Sequence, residues 1–286
     1  MELQGKHVLI TGASRGIGEA MARRFAAAGA KVSLAARSAD SLAALATELG
    51  GTAFAVDLLD PAAVDALIPR VEQEAGPIDV LVNNAGVETS QWLHLDEPQR
   101  LRDAIALNLE APVILTRAVL AGMLARGCGS VVFTSSLAGS AGFPGLAVYA
   151  ATKAGVNNFV ASLRLELRDT PVTLTLVAAG PVDTRMWDAL EEQSDFAPML
   201  RRLNLLHLIP KKTPSLLAKR TVKAVQRDRR HVRVPRRQSA TYWLGESPRR
   251  ITELVLTNVS FVPPVSFVPP VTSVPPVTSA EERPQQ

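Results

Sequence analysis

Strand-like apolar runs alternate with helix-like patterns along most of the chain, and this alternation constrains the fold more than any other feature. A parallel strand pair needs a long crossover connection, which a helix commonly supplies. The sequence therefore predicts an α/β fold, a doubly wound parallel sheet of about seven strands with a C-terminal extension. The predicted strands are 7–11, 31–37, 52–56, 78–82, 130–134, 172–178 and 231–234, and the predicted helices are 19–28, 39–50, 61–75, 97–125, 147–168 and 213–226.

Three glycines lie between the first predicted strand and the first predicted helix. Gly12, Gly16 and Gly18 form a Gly-x-x-x-Gly-x-Gly pattern that encloses Ser14, Arg15 and Ile17. Glycine permits a tight turn and a close backbone approach, and a helix N-terminus attracts a phosphate. The position of this turn after a first strand predicts a Rossmann-type dinucleotide site.

The end of the second predicted strand bears on the choice of cofactor. In dinucleotide folds an acidic residue at this point binds the ribose 2′-hydroxyl. Here the strand ends in Ala35, Ala36 and Arg37, and Arg15 lies inside the glycine turn. Guanidinium groups favour a phosphate, which predicts NADP(H) rather than NAD(H). The alternative is that Arg37 is an ordinary solvated loop residue.

Further polar or glycine-containing segments follow the other predicted strands. They are Asp57, the run 83–86, Ser136 and the run 180–184. Because ligands in open α/β sheets bind outside the carboxyl ends of the strands, these segments are expected to meet at one rim of the sheet.

Tyr149 and Lys153 are four residues apart in a predicted helix, so their side chains share one face. A nearby ammonium favours the phenolate and lowers the pKa of a tyrosine. Ser136 ends a buried strand, and its hydroxyl could share a carbonyl oxygen with that tyrosine. A Tyr-x-x-x-Lys pair by itself is commonly two exposed side chains of an ordinary helix. Its coincidence with the other segments at the rim favours a catalytic role.

Together these motifs resemble the short-chain dehydrogenase/reductase family. They are the glycine turn 11–18, Asn-Asn-Ala-Gly at 83–86, Asn108, Ser136, Tyr149-x-x-x-Lys153 and Gly-Pro-Val-Asp-Thr at 180–184. The match covers residues 5–235 in order and spacing. The chain departs from the family's usual pattern at Ala179-Gly180, where Pro-Gly is common.

The resemblance implies the roles of four catalytic residues. Tyr149 is then the acid/base, and Ser136 polarises the substrate oxygen. Lys153 lowers the pKa of Tyr149 and holds the nicotinamide ribose, while Asn108 kinks its helix and anchors a water linked to Lys153.

The resemblance also implies a set of cofactor-binding residues and no metal site. Within this set, Thr184 and the backbone of 181–182 hold the nicotinamide carboxamide. The full set is Gly12, Ser14, Arg15, Gly16, Ile17, Gly18, Arg37, Asp57, Asn83, Ala85, Gly86, Tyr149, Lys153, Pro181, Val182 and Thr184.

The function expected is an NADP(H)-dependent oxidoreductase that interconverts a ketone or aldehyde and an alcohol on a small hydrophobic substrate. The alternatives are an NAD-dependent alcohol or hydroxysteroid-type dehydrogenase working oxidatively, and a catalytically silent cofactor-binding regulatory protein. An apolar stretch at 186–210 is expected to cover the substrate. The resemblance also suggests a homodimer or homotetramer.

The charge distribution separates the C-terminal part from the rest. The net charge is +4, yet residues 200–250 carry 15 basic and 2 acidic side chains. No nucleic-acid motif is present, so no specific nucleic-acid partner is expected. Residues 200–258 could contact an anionic membrane peripherally, and the alternative is a solvated basic surface.

The domain division follows from composition. Residues 1–235 form the catalytic domain, 236–259 a basic, amphipathic extension, and 260–286 a tail with a Val-Pro-Pro-Val repeat that is expected to be disordered. The single cysteine and the lack of an apolar leader at the start favour a cytoplasmic protein.

Overall fold

In the described part of the chain, seven strands form a single sheet in which every pair of neighbours is parallel. The computed structural model describes residues 1–191, 205 and 210–235. The strand order is β3-β2-β1-β4-β5-β6-β7. The strands are β1 His7–Thr11, β2 Lys31–Ala36, β3 Thr52–Ala55, β4 Val80–Asn83, β5 Gly129–Ser136, β6 Val172–Ala179 and β7 His231–Val234.

Helices connect these strands in the alternating order that the sequence predicts. They are α1 Gly16–Ala26, α2 Ala39–Leu49, α3 Pro61–Ala75, α4 Pro98–Ile105, α5 Ala111–Arg126, α6 Ala147–Glu166, α7 Arg185–Glu191 and α8 Pro214–Gln226. The predicted doubly wound, Rossmann-type sheet is confirmed.

The sheet is buried on both faces, as parallel sheets usually are. Successive side chains of β1 point to opposite faces, so Val8 and Ile10 join one hydrophobic core and Leu9 joins the other. In the first core, Phe25 of α1 packs with Leu217 of α8. The second core lies beneath α3, α5 and α6.

The strand order reverses at β1, which lies between β2 and β4. The chain leaves β1 towards β2 and β3 and then returns to β4 on the other side. A crevice opens at such a switch point, outside the carboxyl ends of the two strands. The glycine turn after β1 and the run 83–86 at the end of β4 therefore lie beside each other.

The helical stretch predicted over 97–125, with a kink at Asn108, consists of α4 and α5 joined by a π turn at Ala106–Glu110. The backbone N–H of Ala111 donates to the carbonyl of Ala106, one residue farther than in an α-helix. Asn108 lies in this turn. By length and composition the stretch Pro98–Arg126 could span a bilayer, but Leu115, Val119 and Met123 belong to the second core.

Several predicted segments fall outside the described residues. Of the predicted substrate cover at 186–210, α7 is described together with residues 205 and 210. The predicted extension 236–259 and the predicted repeat tail 260–286 lie outside the described residues altogether.

Candidate active site

The glycine turn after β1 brings two backbone segments into close contact. Gly12 has φ +63°, and a Cβ at this position would lie 2.8 Å from Cα of Ala85. A Cβ at Gly18 would lie 2.2 Å from the carbonyl oxygen of Gly12. Gly16 has φ +62° and begins α1. Larger residues would push the turn away from Ala85, so the turn keeps the open backbone that a pyrophosphate needs.

Side-chain hydrogen bonds hold the glycine turn against the end of β4. The hydroxyl of Thr11 accepts hydrogen bonds from the backbone N–H groups of Asn84 and Ala85, at 3.0 and 3.1 Å. The Asn84 side-chain amide donates to the carbonyls of Thr11 and Gly12, at 3.0 and 3.3 Å. Thr134 of β5 donates to the other end of that amide. Asn84 therefore links β1, β4 and β5 at the rim.

The side chain of Asn83 is directed into the fold, and the role of this residue as a cofactor contact stays a prediction. Its amide donates to Thr116 of α5 at 3.0 Å, and the residue is buried. Asn84 lies in the predicted run 83–86 but is not among the predicted cofactor contacts. The sequence did not show where β4 ends. Because neighbouring strand residues face opposite sides of the sheet, it did not show which of the two asparagines faces the rim.

Ser136, Tyr149 and Lys153 meet at the carboxyl end of β5. Ser136 is the last residue of that strand, and its hydroxyl is hydrogen-bonded to the phenol of Tyr149. The Lys153 ammonium lies 5.6 Å from the centre of the Tyr149 ring and donates to the carbonyl of Thr134 at 3.1 Å. The predicted grouping of these three side chains is present in the structure.

The electrostatics of this group differ from the expectation. Burial raises the pKa of Tyr149 to about 12, with the charge of Glu88 as a smaller contribution, while the Ser136 hydrogen bond opposes the rise. Burial also lowers the pKa of Lys153 to about 8. The raised pKa of Tyr149 runs against the expected lowering, because removal of the phenol from water outweighs the opposing Ser136 hydrogen bond.

Asn108 supports the site from the π turn. Its side-chain oxygen accepts from the N–H of Val87 at 2.9 Å, and its amide donates to the carbonyl of Val87 at 2.8 Å. A Cβ at Gly86 would lie 2.9 Å from that oxygen and 3.5 Å from the Lys153 nitrogen. The glycine thus lets Asn108 and Lys153 approach the chain that follows β4.

A second pair of buried polar side chains ties α6 to β5. The hydroxyl of Ser135 donates to the side-chain oxygen of Asn157 at 2.6 Å. The Asn157 amide donates to the carbonyl of Gly139 at 3.2 Å. Sequence reasoning did not single out either residue. Together they fix the register between Ser136 and the turn of α6 that carries Lys153.

A cavity of about 1160 Å³ connects the glycine turn with Tyr149. Of the predicted site residues, Gly18, Asn83 and Asn108 do not line this cavity. The others line it: Gly12, Ser14, Arg15, Gly16, Ile17, Arg37, Asp57, Ala85, Gly86, Ser136, Tyr149, Lys153, Pro181, Val182 and Thr184. Glu88, Arg100 and Thr134 also line the cavity and were not among the predicted site residues, whereas Asn84 belongs to the predicted run 83–86 and Trp187 to the predicted substrate cover.

Comparison with known families bears directly on this arrangement. The family model described as short chain dehydrogenase matches residues 6–195, which is well over half of the chain. This chain belongs to the short-chain dehydrogenase family. It is therefore an NAD(P)-dependent oxidoreductase, as the sequence resemblance implies.

Relatives and solved structures agree with that membership. The chain is 37% identical over 194 residues to the 3-oxoacyl-acyl-carrier-protein reductase FabG of Escherichia coli, covering 67% of this chain and 80% of that one. A crystal structure of a short-chain dehydrogenase from Streptomyces avermitilis superposes with a TM-score of 0.73 at 26% identity, covering 90% and 97%. A metagenomic short-chain oxidoreductase in complex with NADP superposes with a TM-score of 0.60 at 39% identity, covering 70% and 92%.

The second end of the cavity in this short-chain dehydrogenase carries an exposed ion pair. Arg37 follows β2, and its guanidinium lies 4.0 Å from the carboxylate of Asp57, which follows β3. Arg15 in the glycine turn is also exposed and lines the same region. Two exposed cations and one carboxylate thus border the site where the ribose of a dinucleotide would lie.

Glu88 introduces an acidic side chain close to Tyr149. Burial raises the pKa of its carboxyl to about 7, and the charge of Arg100 reduces the rise. The folded protein therefore holds the Glu88 proton up to a higher pH than the unfolded chain, whose glutamates titrate near 4.5. The contribution of Glu88 to the free energy of unfolding falls as the pH rises from about 4.5 to 7. In this range the carboxyl ionises more readily in the unfolded chain than in the folded protein, which favours the unfolded state.

We expect Glu88→Gln to stabilise the enzyme at pH 8 and to have much less effect at pH 4.5. The substitution removes the charge that burial disfavours, and each kcal/mol gained corresponds to ~2–4 °C in Tm for a domain of this size. Thermal unfolding at the two pH values measures the difference. Exposed Glu97, which is outside the cavity lining, provides the control Glu97→Gln. Equal shifts at both pH values would show that the Glu88 carboxyl is not held protonated by the fold.

Proposed function

We propose that this short-chain dehydrogenase is an NADP(H)-dependent reductase that interconverts a ketone or aldehyde and an alcohol on a largely hydrophobic substrate. The observation that carries the proposal is the single cavity that joins the glycine turn to Tyr149, Ser136 and Lys153. The end of this cavity at the glycine turn suits a dinucleotide, and the end at Tyr149 offers a proton donor. The kinship with FabG, which is named as a reductase, supports the same direction of reaction.

The residues present fit a dinucleotide. A Cβ at Gly12 or Gly18 would collide with backbone atoms, so the turn presents main chain rather than side chains to the cavity. The segment 180–184 closes the same region. Its backbone is held by Lys212, which pairs with Val182 and donates to the carbonyl of Pro181. Bound there, the nicotinamide would supply or accept a hydride at the carbonyl carbon.

The protein's own contribution is to hold and deliver the proton. In the reductive direction Tyr149 gives its phenolic proton to the substrate oxygen, and the raised pKa keeps it protonated at neutral pH. Ser136 can donate a hydrogen bond to the same oxygen and so stabilise the charge that develops there. Lys153 places its positive charge beside the resulting phenolate, which lowers the free energy of that state.

The character of the substrate follows from the lining near Tyr149. Leu137, Phe143, Leu146 and Met186 line the same cavity as Tyr149. Apolar side chains of this kind exclude water from the reacting carbonyl and favour an apolar body of the substrate. α7, which carries Met186, would form part of the cover that the sequence predicts at 186–210.

We expect Tyr149→Phe to lower kcat roughly 10²- to 10⁴-fold, because it removes the general acid and leaves the ring in place. The Kd for NADPH should stay close to that of the wild type. Steady-state kinetics and NADPH fluorescence titration measure the two quantities. Tyr242→Phe is the matched control, since the chain has 2 tyrosines. Unchanged kcat in Tyr149→Phe would contradict the mechanism and favour a silent cofactor-binding protein.

The preference for NADP(H) rests on Arg37 and Arg15. A charge-assisted hydrogen bond contributes roughly 1.5–3 kcal/mol, which corresponds to about 10- to 150-fold in Kd. NADPH should therefore bind at least about tenfold more tightly than NADH, and Arg37→Asp should reverse this preference. Fluorescence titration with both cofactors tests it, with Arg102→Asp, an exposed position outside the cavity lining, as the control. Equal affinity of the wild type for both cofactors would favour the NAD-dependent alternative.

Self-association and membrane contact stay predictions. We propose a homodimer or homotetramer in the cytoplasm, on the basis of family membership, and no specific nucleic-acid partner. The basic segment 200–258 lies mostly outside the described residues, and the proposal of a peripheral membrane contact rests on its charge. Light scattering should give two or four chains per particle. Sedimentation with anionic vesicles at low salt should leave the protein in the supernatant if this segment is only a solvated basic surface.

A further inference from the structure

Ser90 lines the catalytic cavity with a hydroxyl group that no other described residue satisfies. The residue is 7% exposed, so protein encloses nearly all of it. Its hydroxyl makes no hydrogen bond within the described part of the chain. The hydroxyl oxygen still has accessible surface, in contrast to the unpaired oxygen Oε1 of Glu88, which is closed to water. A group that enters the cavity can therefore reach the Ser90 hydroxyl.

The side chains of residues 88–91 alternate between two sides of the segment that follows β4. Glu88 and Ser90 line the catalytic cavity, whereas Thr89 and Gln91 line a separate small crevice beside the first residues of α6. Such alternation is that of an extended chain, in which successive side chains point in opposite directions. The direction of the Ser90 side chain is therefore set by the backbone of this segment.

Hydrogen bonds hold the backbone of this segment on both sides of Ser90. On one side the Asn108 side chain binds both the N–H and the carbonyl of Val87. On the other side the N–H of Gln91 donates to the carbonyl of Gly145 at 3.0 Å. Gly145 belongs to the loop that leads into α6, the helix of the catalytic tyrosine. The segment is thereby fixed next to the end of the cavity where the substrate would react, and Ser90 with it.

The Ser90 hydroxyl is separate from the groups that serve the reacting oxygen. Those groups, Ser136 and Tyr149, are hydrogen-bonded to each other and lie at β5 and α6, whereas Ser90 follows β4. A serine hydroxyl donates one hydrogen bond, accepts others and carries no charge. Its suitable partner is therefore a neutral oxygen. Enclosed polar groups are nearly always hydrogen-bonded, and an exception that faces a ligand cavity indicates a group that the ligand completes.

We propose that Ser90 is a specificity-determining residue that hydrogen-bonds a second oxygen of the substrate, a hydroxyl or carbonyl oxygen in addition to the one that reacts. This inference rests on the proposed reductase activity and names its substrate class, ketones or aldehydes with a second oxygen and an apolar remainder. In the reaction the carbonyl carbon gains the hydride of NADPH and its oxygen gains the Tyr149 proton, which gives an alcohol and NADP⁺. The oxygen bound by Ser90 is unchanged by the reaction.

The size of the preference follows from the chemistry of the hydroxyl group. A site that hydrogen-bonds a substrate oxygen discriminates against the analogue that lacks it, because the protein group then loses its partner. A hydrogen bond between neutral groups, formed in exchange for hydrogen bonds to water, corresponds to roughly 2- to 13-fold in affinity. The expected contribution of Ser90 to kcat/KM for an oxygenated substrate lies in that range.

The test compares oxygenated ketones with plain ketones of similar shape as substrates for NADPH oxidation by the full-length enzyme. The pairs are 1-hydroxy-2-octanone with 3-nonanone, 1-hydroxy-3-octanone with 4-nonanone, and methyl 3-oxooctanoate with 5-decanone. For at least one pair, Ser90→Ala should lower kcat/KM of the oxygenated member roughly 2- to 13-fold and leave that of the plain member unchanged. The intrinsic reactivity of each ketone cancels, because each is compared between the wild type and the variant.

Two further variants separate the hydroxyl from the shape of the side chain. Ser90→Thr keeps the hydroxyl, and Ser90→Val has the shape of threonine without it. For the same pair, the oxygenated ketone should be reduced roughly 2- to 13-fold faster by Ser90→Thr than by Ser90→Val, relative to the plain ketone. The control Ser38→Ala removes a hydroxyl from a serine that lines the cavity after β2, and it should keep the wild-type ratio within every pair.

The outcomes separate this inference from the proposed function. If Ser90→Ala affects both members of every pair equally, the role of Ser90 is overturned and the reductase activity stands. Equal ratios in Ser90→Thr and Ser90→Val would overturn it as well. No turnover of any of these ketones by the wild type would overturn both. NADPH fluorescence titration shows whether Ser90→Ala is folded, and if it is not, the comparison of Ser90→Thr with Ser90→Val decides.

Discussion

The close contact between the glycine turn and the start of the chain that follows β4 is the constraint on which the rest of the site depends. Gly12 lies so near Ala85 that no Cβ fits between them. The hydroxyl of Thr11 and the amide of Asn84 close this contact with hydrogen bonds to backbone groups of the opposite segment. Since both segments border the crevice where the strand order reverses, their separation sets the width of the dinucleotide end.

The same contact determines where the catalytic side chains can lie. Asn84 also accepts from Thr134, and the carbonyl of Thr134 accepts from the Lys153 ammonium. The position of Lys153 is therefore tied to the glycine turn through a short chain of hydrogen bonds. On the other side, Asn108 holds the backbone of Val87 and leaves space only for a glycine at position 86. A change at the turn would consequently alter both the cofactor end and the proton-transfer end.

Besides Tyr149, the site carries two ionisable groups that burial disfavours in their charged forms, Lys153 and Glu88. Their costs have opposite pH dependence: that of the lysine falls as the pH rises from about 8 to 10.5, and that of the glutamate grows from about 4.5 to 7. The stability that the two groups together contribute is therefore lowest between about pH 7 and 8. Buried ionisable groups of this kind are typical of functional sites, where residues needed for activity lower the stability of the fold.

What the sequence determined by itself was the order of the elements and the motifs at the rim, because strand and helix periodicity and glycine spacing are local properties of the chain. The grouping of Ser136, Tyr149 and Lys153 followed from these motifs and from family resemblance. Only the tertiary structure decided that Asn84 rather than Asn83 faces the rim, since β4 ends one residue later than predicted and each residue reverses the direction of the side chain. Burial is likewise a property of the whole fold, and for this reason the raised pKa of Tyr149 and the unpaired oxygen of Glu88 left no trace in the sequence.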